Sequence, residues 1–124
     1  MSEQAIQTVR DFCAAWSRLN VDELVGYFAD DAIYHNIPMR PMQGKEAIAK
    51  GLSGFVSGAR NVQFEMVHIG AAGDVVFTER VDRFTLGEKR IELPVAGVFE
   101  LKNGKIAAWR DYFDVAMWNK QSQG

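Results

Sequence analysis

Residues 90–113, RIELPVAGVFELKNGKIAAWRDYF, hold the pattern that decides the fold. Two strand-like runs, 90–101 and 105–113, flank Asn103-Gly104, a pair suited to the positive φ values of a type I′ turn. They are therefore expected to fold back on each other as an antiparallel hairpin. Towards the N-terminus the alternation continues in candidate strands at 75–86 and 62–69, separated by Gly-containing turns, so the second half reads as a meander.

The first half is helical in pattern. Ala5, Val9, Phe12, Cys13, Trp16 and Leu19 recur at helical spacing and predict an amphipathic helix over 3–19. Asn20 is an N-cap with Glu23 three residues on, and Leu24, Val25 and Phe28 give one face to a short second helix. Asp30 and Asp31 are expected to turn the chain. An extended segment over 32–36 then enters a loop with Pro38 and Pro41, and Gly44 precedes a third helix carrying Ile48, Leu52 and Phe55. Helices first and a sheet after define an α+β fold. A strongly curved sheet with helices closing its open side would enclose a pocket.

A chain of 124 residues suits one domain, 1–124, with room for a core and one internal cavity. A hydrophobic share of 48% against 24% charged is the balance of a soluble globular protein. No apolar run approaches a membrane span. The start, MSEQAIQTVRDF, carries charge where a secretory signal needs an apolar stretch, which points to the cytoplasm. The net charge of −2 is interspersed, leaving no basic face for nucleic acid. Cys13 lies in the apolar helical stripe and reads as a buried, inert thiol.

Three charges break the apolar faces. Period two places Val76, Thr78, Arg80, Asp82, Phe84 and Leu86 on one side of their strand, so Arg80 and Asp82 point the same way among apolar neighbours. In the last strand Ala107, Trp109, Asp111 and Phe113 share a face on which only Asp111 is charged. Two readings stand at this point: an internally satisfied ion pair with Asp111 capping a backbone donor, or a reaction centre. Two carboxylates against one guanidinium leave a negative charge that a core would avoid and a reaction centre can use. Tyr34 and Asn36, also two apart, either pack and turn the chain before Pro38 or converge on a small polar object such as a water.

The segments Tyr34-His35-Asn36-Ile37-Pro38, Thr78-Glu79-Arg80-Val81-Asp82, Gly97-Val98-Phe99 and Trp109-Arg110-Asp111-Tyr112-Phe113-Asp114 together resemble the limonene-1,2-epoxide hydrolase family. The likeness runs from the first helix to about residue 118 and includes Tyr27-Phe28-Ala29 and Gly44-Lys45-Glu46-Ala47. It implies a cone-shaped, curved mixed β-sheet of the nuclear transport factor 2-like type, shared with ketosteroid isomerases and polyketide cyclases, with N-terminal helices closing the pocket. It also implies a homodimer. By position, Arg80, Asp82 and Asp111 match the family's catalytic residues, and Tyr34 and Asn36 match those that hold the nucleophilic water. Phe55, Leu93, Val95 and Phe113 fall on the substrate pocket, with Phe84 beside them on the Arg80–Asp82 face. The pocket positions carry different apolar side chains from the limonene enzyme, and Trp16 and Phe55 are expected to fill space left open there.

The implied substrates are a small apolar epoxide and water. Opening the ring needs a base for the water and an acid for the departing oxygen, and two carboxyls in opposite protonation states provide both. Asp111 is expected to take the water's proton, Asp82 to protonate the epoxide oxygen, and Arg80 to bridge them while the pair titrates as one unit. This scheme needs no cofactor and no metal, and His35 and His68 lack ligand spacing. An isomerase or cyclase on the same cone would use a neutral Asp donor, which a cation beside both acids opposes. A ligand-binding scaffold would not need all five polar residues together.

Overall fold

The computed structural model describes residues 2–123. Helix α1 (Ser2–Ala15) runs into a 3-10 turn over Trp16–Arg18, followed by the short α2 (Val21–Val25), strands β1 (Phe28–Asn36) and β2 (Met42–Gln43), and α3 (Lys45–Gly58). Strands β3 (Ala59–Ala72), β4 (Val75–Leu86), β5 (Lys89–Lys102) and β6 (Lys105–Tyr112) follow, then α4 (Val115–Gln123). One curved sheet is ordered β2-β1-β6-β5-β4-β3. β1 and β6 are parallel and the other neighbours antiparallel, so the sheet is mixed.

The hairpin read from residues 90–113 is present. Asn103 (φ 53°) and Gly104 (φ 78°) both adopt positive φ, joining β5 to β6. Asn20 caps α2 by accepting from the Glu23 backbone N–H at 3.0 Å, while the Glu23 carboxylate pairs with Arg18 instead of completing a capping box. Ala5, Val9, Phe12 and Cys13 turn one face of α1 onto β3 and β4. Phe12 sits at the centre of an aromatic core, with ring centroids 5.0 Å from Trp109, 5.3 Å from Tyr27, 5.4 Å from Phe28 and 5.9 Å from Trp16. Buried aromatic pairs in this range contribute beyond their burial alone.

Two expectations need correction, and one element lies outside them. The second helix ends at Val25, and Phe28 opens β1, buried in the core. Asp30 and Asp31 lie inside β1 and do not turn the chain; β1–β6 pairing is irregular between Phe28 and Ile33, which lets the Asp30 side chain stand wholly in solvent, 3.8 Å from Lys45. The C-terminal helix α4 was not expected. Asp114 caps it by accepting from the backbone N–H groups of Ala116 (2.9 Å) and Met117 (3.2 Å). The Gln121 amide ties it to β5 by exchanging two hydrogen bonds with the Glu92 backbone. The open side of the sheet is therefore closed by the C-terminal helix as well as by the earlier ones.

Candidate active site

The alternation of β4 and β6 delivers the three charges to the interior. Val76, Thr78, Arg80, Asp82 and Phe84 are all buried on one face of β4, as are Trp109 and Asp111 on β6. Register does the rest. Parallel pairing sets Asn36 beside Asp111 and Tyr34 beside Trp109, and antiparallel pairing sets Arg80 beside Val95 and Asp82 beside Leu93.

Arg80 is 1% exposed, Asp82 5% and Asp111 4%. The guanidinium divides its donors between the two carboxylates. Nε and Nη2 reach Asp82 Oδ1 (3.0 Å) and Oδ2 (2.8 Å), while Nη1 and Nη2 reach Asp111 Oδ1 (3.2 Å) and Oδ2 (2.9 Å). Nη1 also donates to Thr78 Oγ1 at 3.1 Å, and the Phe64 ring lies 5.3 Å from the guanidinium carbon. Burial works against the charge on Arg80, but the two carboxylates overcome it and hold the group firmly protonated. Asp82 is pushed upward, first by burial and further by the charge of Asp111, against the pull of Arg80. Such a carboxyl holds its proton more tightly than a solvated one.

Asp111 has a third donor, the Trp109 indole N–H, at 2.6 Å from Oδ1. An ionised carboxylate offers about four acceptor sites, so roughly one stays open. Tyr34 donates its hydroxyl to Asn36 Oδ1 at 3.3 Å, and burial raises the phenol well above its ordinary range, keeping it an O–H. Burial also pushes the Cys13 thiol up to about 12, so it stays protonated and packs as an apolar group.

These groups meet at a cavity of about 190 Å³. Tyr34, Asn36, Asp82 and Asp111 are its polar wall, and Phe55, Phe84, Leu93, Val95 and Phe113 all line it. Arg80 lies behind the wall, reaching the cavity only through its two carboxylates. Trp16, Leu52, Phe64 and Trp118 complete the apolar lining with Met39 and Met42 at the loop side. Spacing singled out neither Phe64 nor Trp118; it placed Thr78 and Trp109 on the faces of Arg80 and Asp111 without showing the hydrogen bonds they make there. His35 and His68 stand apart, bonded to the Met39 carbonyl and to Glu79, each at 2.8 Å.

The family profile for the limonene-1,2-epoxide hydrolase catalytic domain matches residues 3–123. The chain belongs to that family. Epoxide hydrolase EphG of Mycobacterium tuberculosis is 35% identical over 107 residues, covering 86% of this chain and 71% of the relative. The solved structure of a limonene-1,2-epoxide hydrolase-like epoxide hydrolase from the same species superposes with a TM-score of 0.88 at 32% identity, covering 99% of this chain and 92% of that one. A nuclear transport factor 2-like protein of unknown function from Burkholderia pseudomallei shares the fold alone, with a TM-score of 0.87 at 17% identity over the full length of both chains. Membership of the limonene-1,2-epoxide hydrolase family thus rests on sequence as well as fold.

Proposed function

We propose that this protein hydrolyses a small apolar epoxide to a vicinal diol in one acid–base step, without a covalent intermediate. The observation that carries the reading is one guanidinium shared between two buried carboxylates at the polar wall of an apolar cavity. With Asp82 protonated and Asp111 ionised, Arg80 makes the trio neutral, a state that an apolar site tolerates.

Asn36 and Tyr34 hold a water against the open acceptor site of Asp111. Asp111 takes a proton from the water as its oxygen bonds to an epoxide carbon, the carbon–oxygen bond breaks, and Asp82 gives its proton to the departing oxygen. The proton then sits on Asp111 and the charge on Asp82, so the trio remains neutral throughout. The cycle closes when that proton returns to Asp82. Groups positioned in this way contribute ~10²–10⁴ each to the rate. No cofactor enters the scheme. An enolate-stabilising role is disfavoured by the two hydrogen bonds that Arg80 makes to Asp82, which oppose the permanently neutral donor such chemistry uses.

The cavity lies below the ~300–1,000 Å³ of sites for drug-sized ligands, in keeping with a compact substrate. The protein is further proposed to act as a homodimer. Ile33, Phe77 and Tyr112 are 39%, 48% and 45% exposed and alternate with inward residues, leaving apolar side chains on the outer face of the sheet. Light scattering gives the mass directly; a monomer at micromolar concentration contradicts the dimer. For the reaction, purified protein is incubated with cyclic, meso and terminal epoxides and the products are resolved by chiral chromatography. Diol from members of this panel supports the reading, and no diol from any, with isomerisation of a ketosteroid instead, overturns it.

A further inference from the structure

Arg80 stands on β4 and Asp111 on β6, with β5 between them. Adjacent strands lie ~4.8 Å apart, so about 10 Å separates the two backbones, and the inward side chain of the middle strand ordinarily fills that gap. Across the row Thr78, Gly97, Asp111 the middle residue is glycine. A Cβ built on Gly97 lies 2.5 Å from Arg80 Nη1, 2.6 Å from Asp111 Oδ1 and 2.9 Å from Thr78 Oγ1. Neither of the two nearest atoms is free to retreat. The Arg80 side chain has no exposure and its other nitrogens hold Asp82, while Asp111 Oδ1 is fixed by Trp109.

We infer that Gly97 is a positioning residue for the reaction: it is the gap in β5 through which the guanidinium reaches the carboxylate of Asp111. The inference rests on the proposed hydrolysis. Gly97 is not among the glycines with positive φ, so its backbone does not demand glycine. Alanine there would ordinarily be neutral or stabilising, because it restricts the unfolded chain. The space, not the backbone, requires the missing side chain. A methyl group at 97 overlaps the contact between Arg80 Nη1 and Asp111 Oδ1 and forces guanidinium and carboxylate apart there, weakening the Arg80 support of Asp111 while Nε keeps its bond to Asp82.

The test compares Gly97→Ala with Gly70→Ala on β3, where a built Cβ meets nothing within 4 Å. Steady-state kinetics give kcat and KM, and a ¹H–¹⁵N spectrum follows the Trp109 indole N–H, which reports the Asp111 carboxylate directly. Gly70→Ala should stay within about twofold of the parent. Gly97→Ala should fold, lose about 100-fold or more in kcat with KM changed less than about threefold, and move the Trp109 indole resonance. A folded Gly97→Ala with kcat within about threefold of the parent overturns the inference. Should the parent itself form no diol, the hydrolase reading fails, and the indole resonance alone decides the geometry: unmoved, it overturns the inference. Should Gly97→Ala not fold, the double variant with Arg80→Lys, which lacks Nη1, is expected to recover folding. A double variant as unfolded as the single one overturns the inference too.

Discussion

Trp109 donates its indole N–H to Asp111 Oδ1 over 2.6 Å while the Tyr34 ring lies flat against the same indole, centroids 4.0 Å apart and planes 6° from parallel. One side chain thus fixes both the carboxylate and the phenol assigned to the water. Phe99 stacks on the same indole at 5.2 Å, so the indole is clamped by packing as well as by its hydrogen bond.

Trp109→Phe keeps an aromatic ring against Tyr34 and removes the donor to Asp111. A hydrogen bond to a charged group contributes about 1.5–3 kcal/mol. If that contribution is felt fully in the transition state, kcat should fall about 10- to 150-fold, with KM little changed. Kinetics of Trp109→Phe beside urea unfolding check this, and unchanged turnover would remove Trp109 from the positioning scheme.

Asp82 carries a pH signature. Its carboxyl is held above the ordinary 3.8 by burial first and by Asp111 second. A raised folded value means that its contribution to stability is full below the ordinary value and is lost as pH rises through the folded one. Asp82→Asn cannot ionise. Its melting temperature relative to the parent should therefore climb from about pH 4 upward, and a difference that is flat or falls to about pH 9 contradicts the shift. The same variant should lose ~10²–10⁴ in kcat and lack the alkaline limb that the parent shows when Asp82 gives up its proton.

Much of this site was legible because β4 and β6 are regular. Period two put Arg80, Asp82 and Asp111 inside, and Asn103-Gly104 set the hairpin that brings β5 against β6. Other parts were hidden for physical reasons. Asp30 and Asp31 carry the chemistry of turn residues yet sit in a strand whose pairing is locally irregular, with the Asp30 side chain in water. Helix α4 buries none of its residues completely, so it shows no deep apolar stripe, and its attachment through Gln121 is to backbone. Gly97 matters through cross-strand register, which linear spacing does not display.

In the proposed hydrolysis, Phe55 sets how much room the epoxide has. It meets Trp16 edge-on at 5.6 Å and Phe84 at 5.0 Å, forming one wall of the cavity. Phe55→Ala should raise kcat/KM for bulky cyclic epoxides relative to small terminal ones by about 10-fold or more, since each methylene of fit counts for about 1–3 kcal/mol. Competition assays with paired substrates measure the ratio; an unchanged ratio would place the substrate elsewhere in the cavity.

The central claim is that water attacks the epoxide directly, with Asp111 as base and never as nucleophile. A single turnover in ¹⁸O-labelled water, with enzyme in excess over an epoxide that is turned over and mass spectrometry of diol and protein, tests it most directly. The account predicts one labelled oxygen in the diol from the first turnover and an unlabelled protein. Unlabelled first-turnover diol, with ¹⁸O entering the Asp111 carboxylate as an ester is hydrolysed, would contradict it.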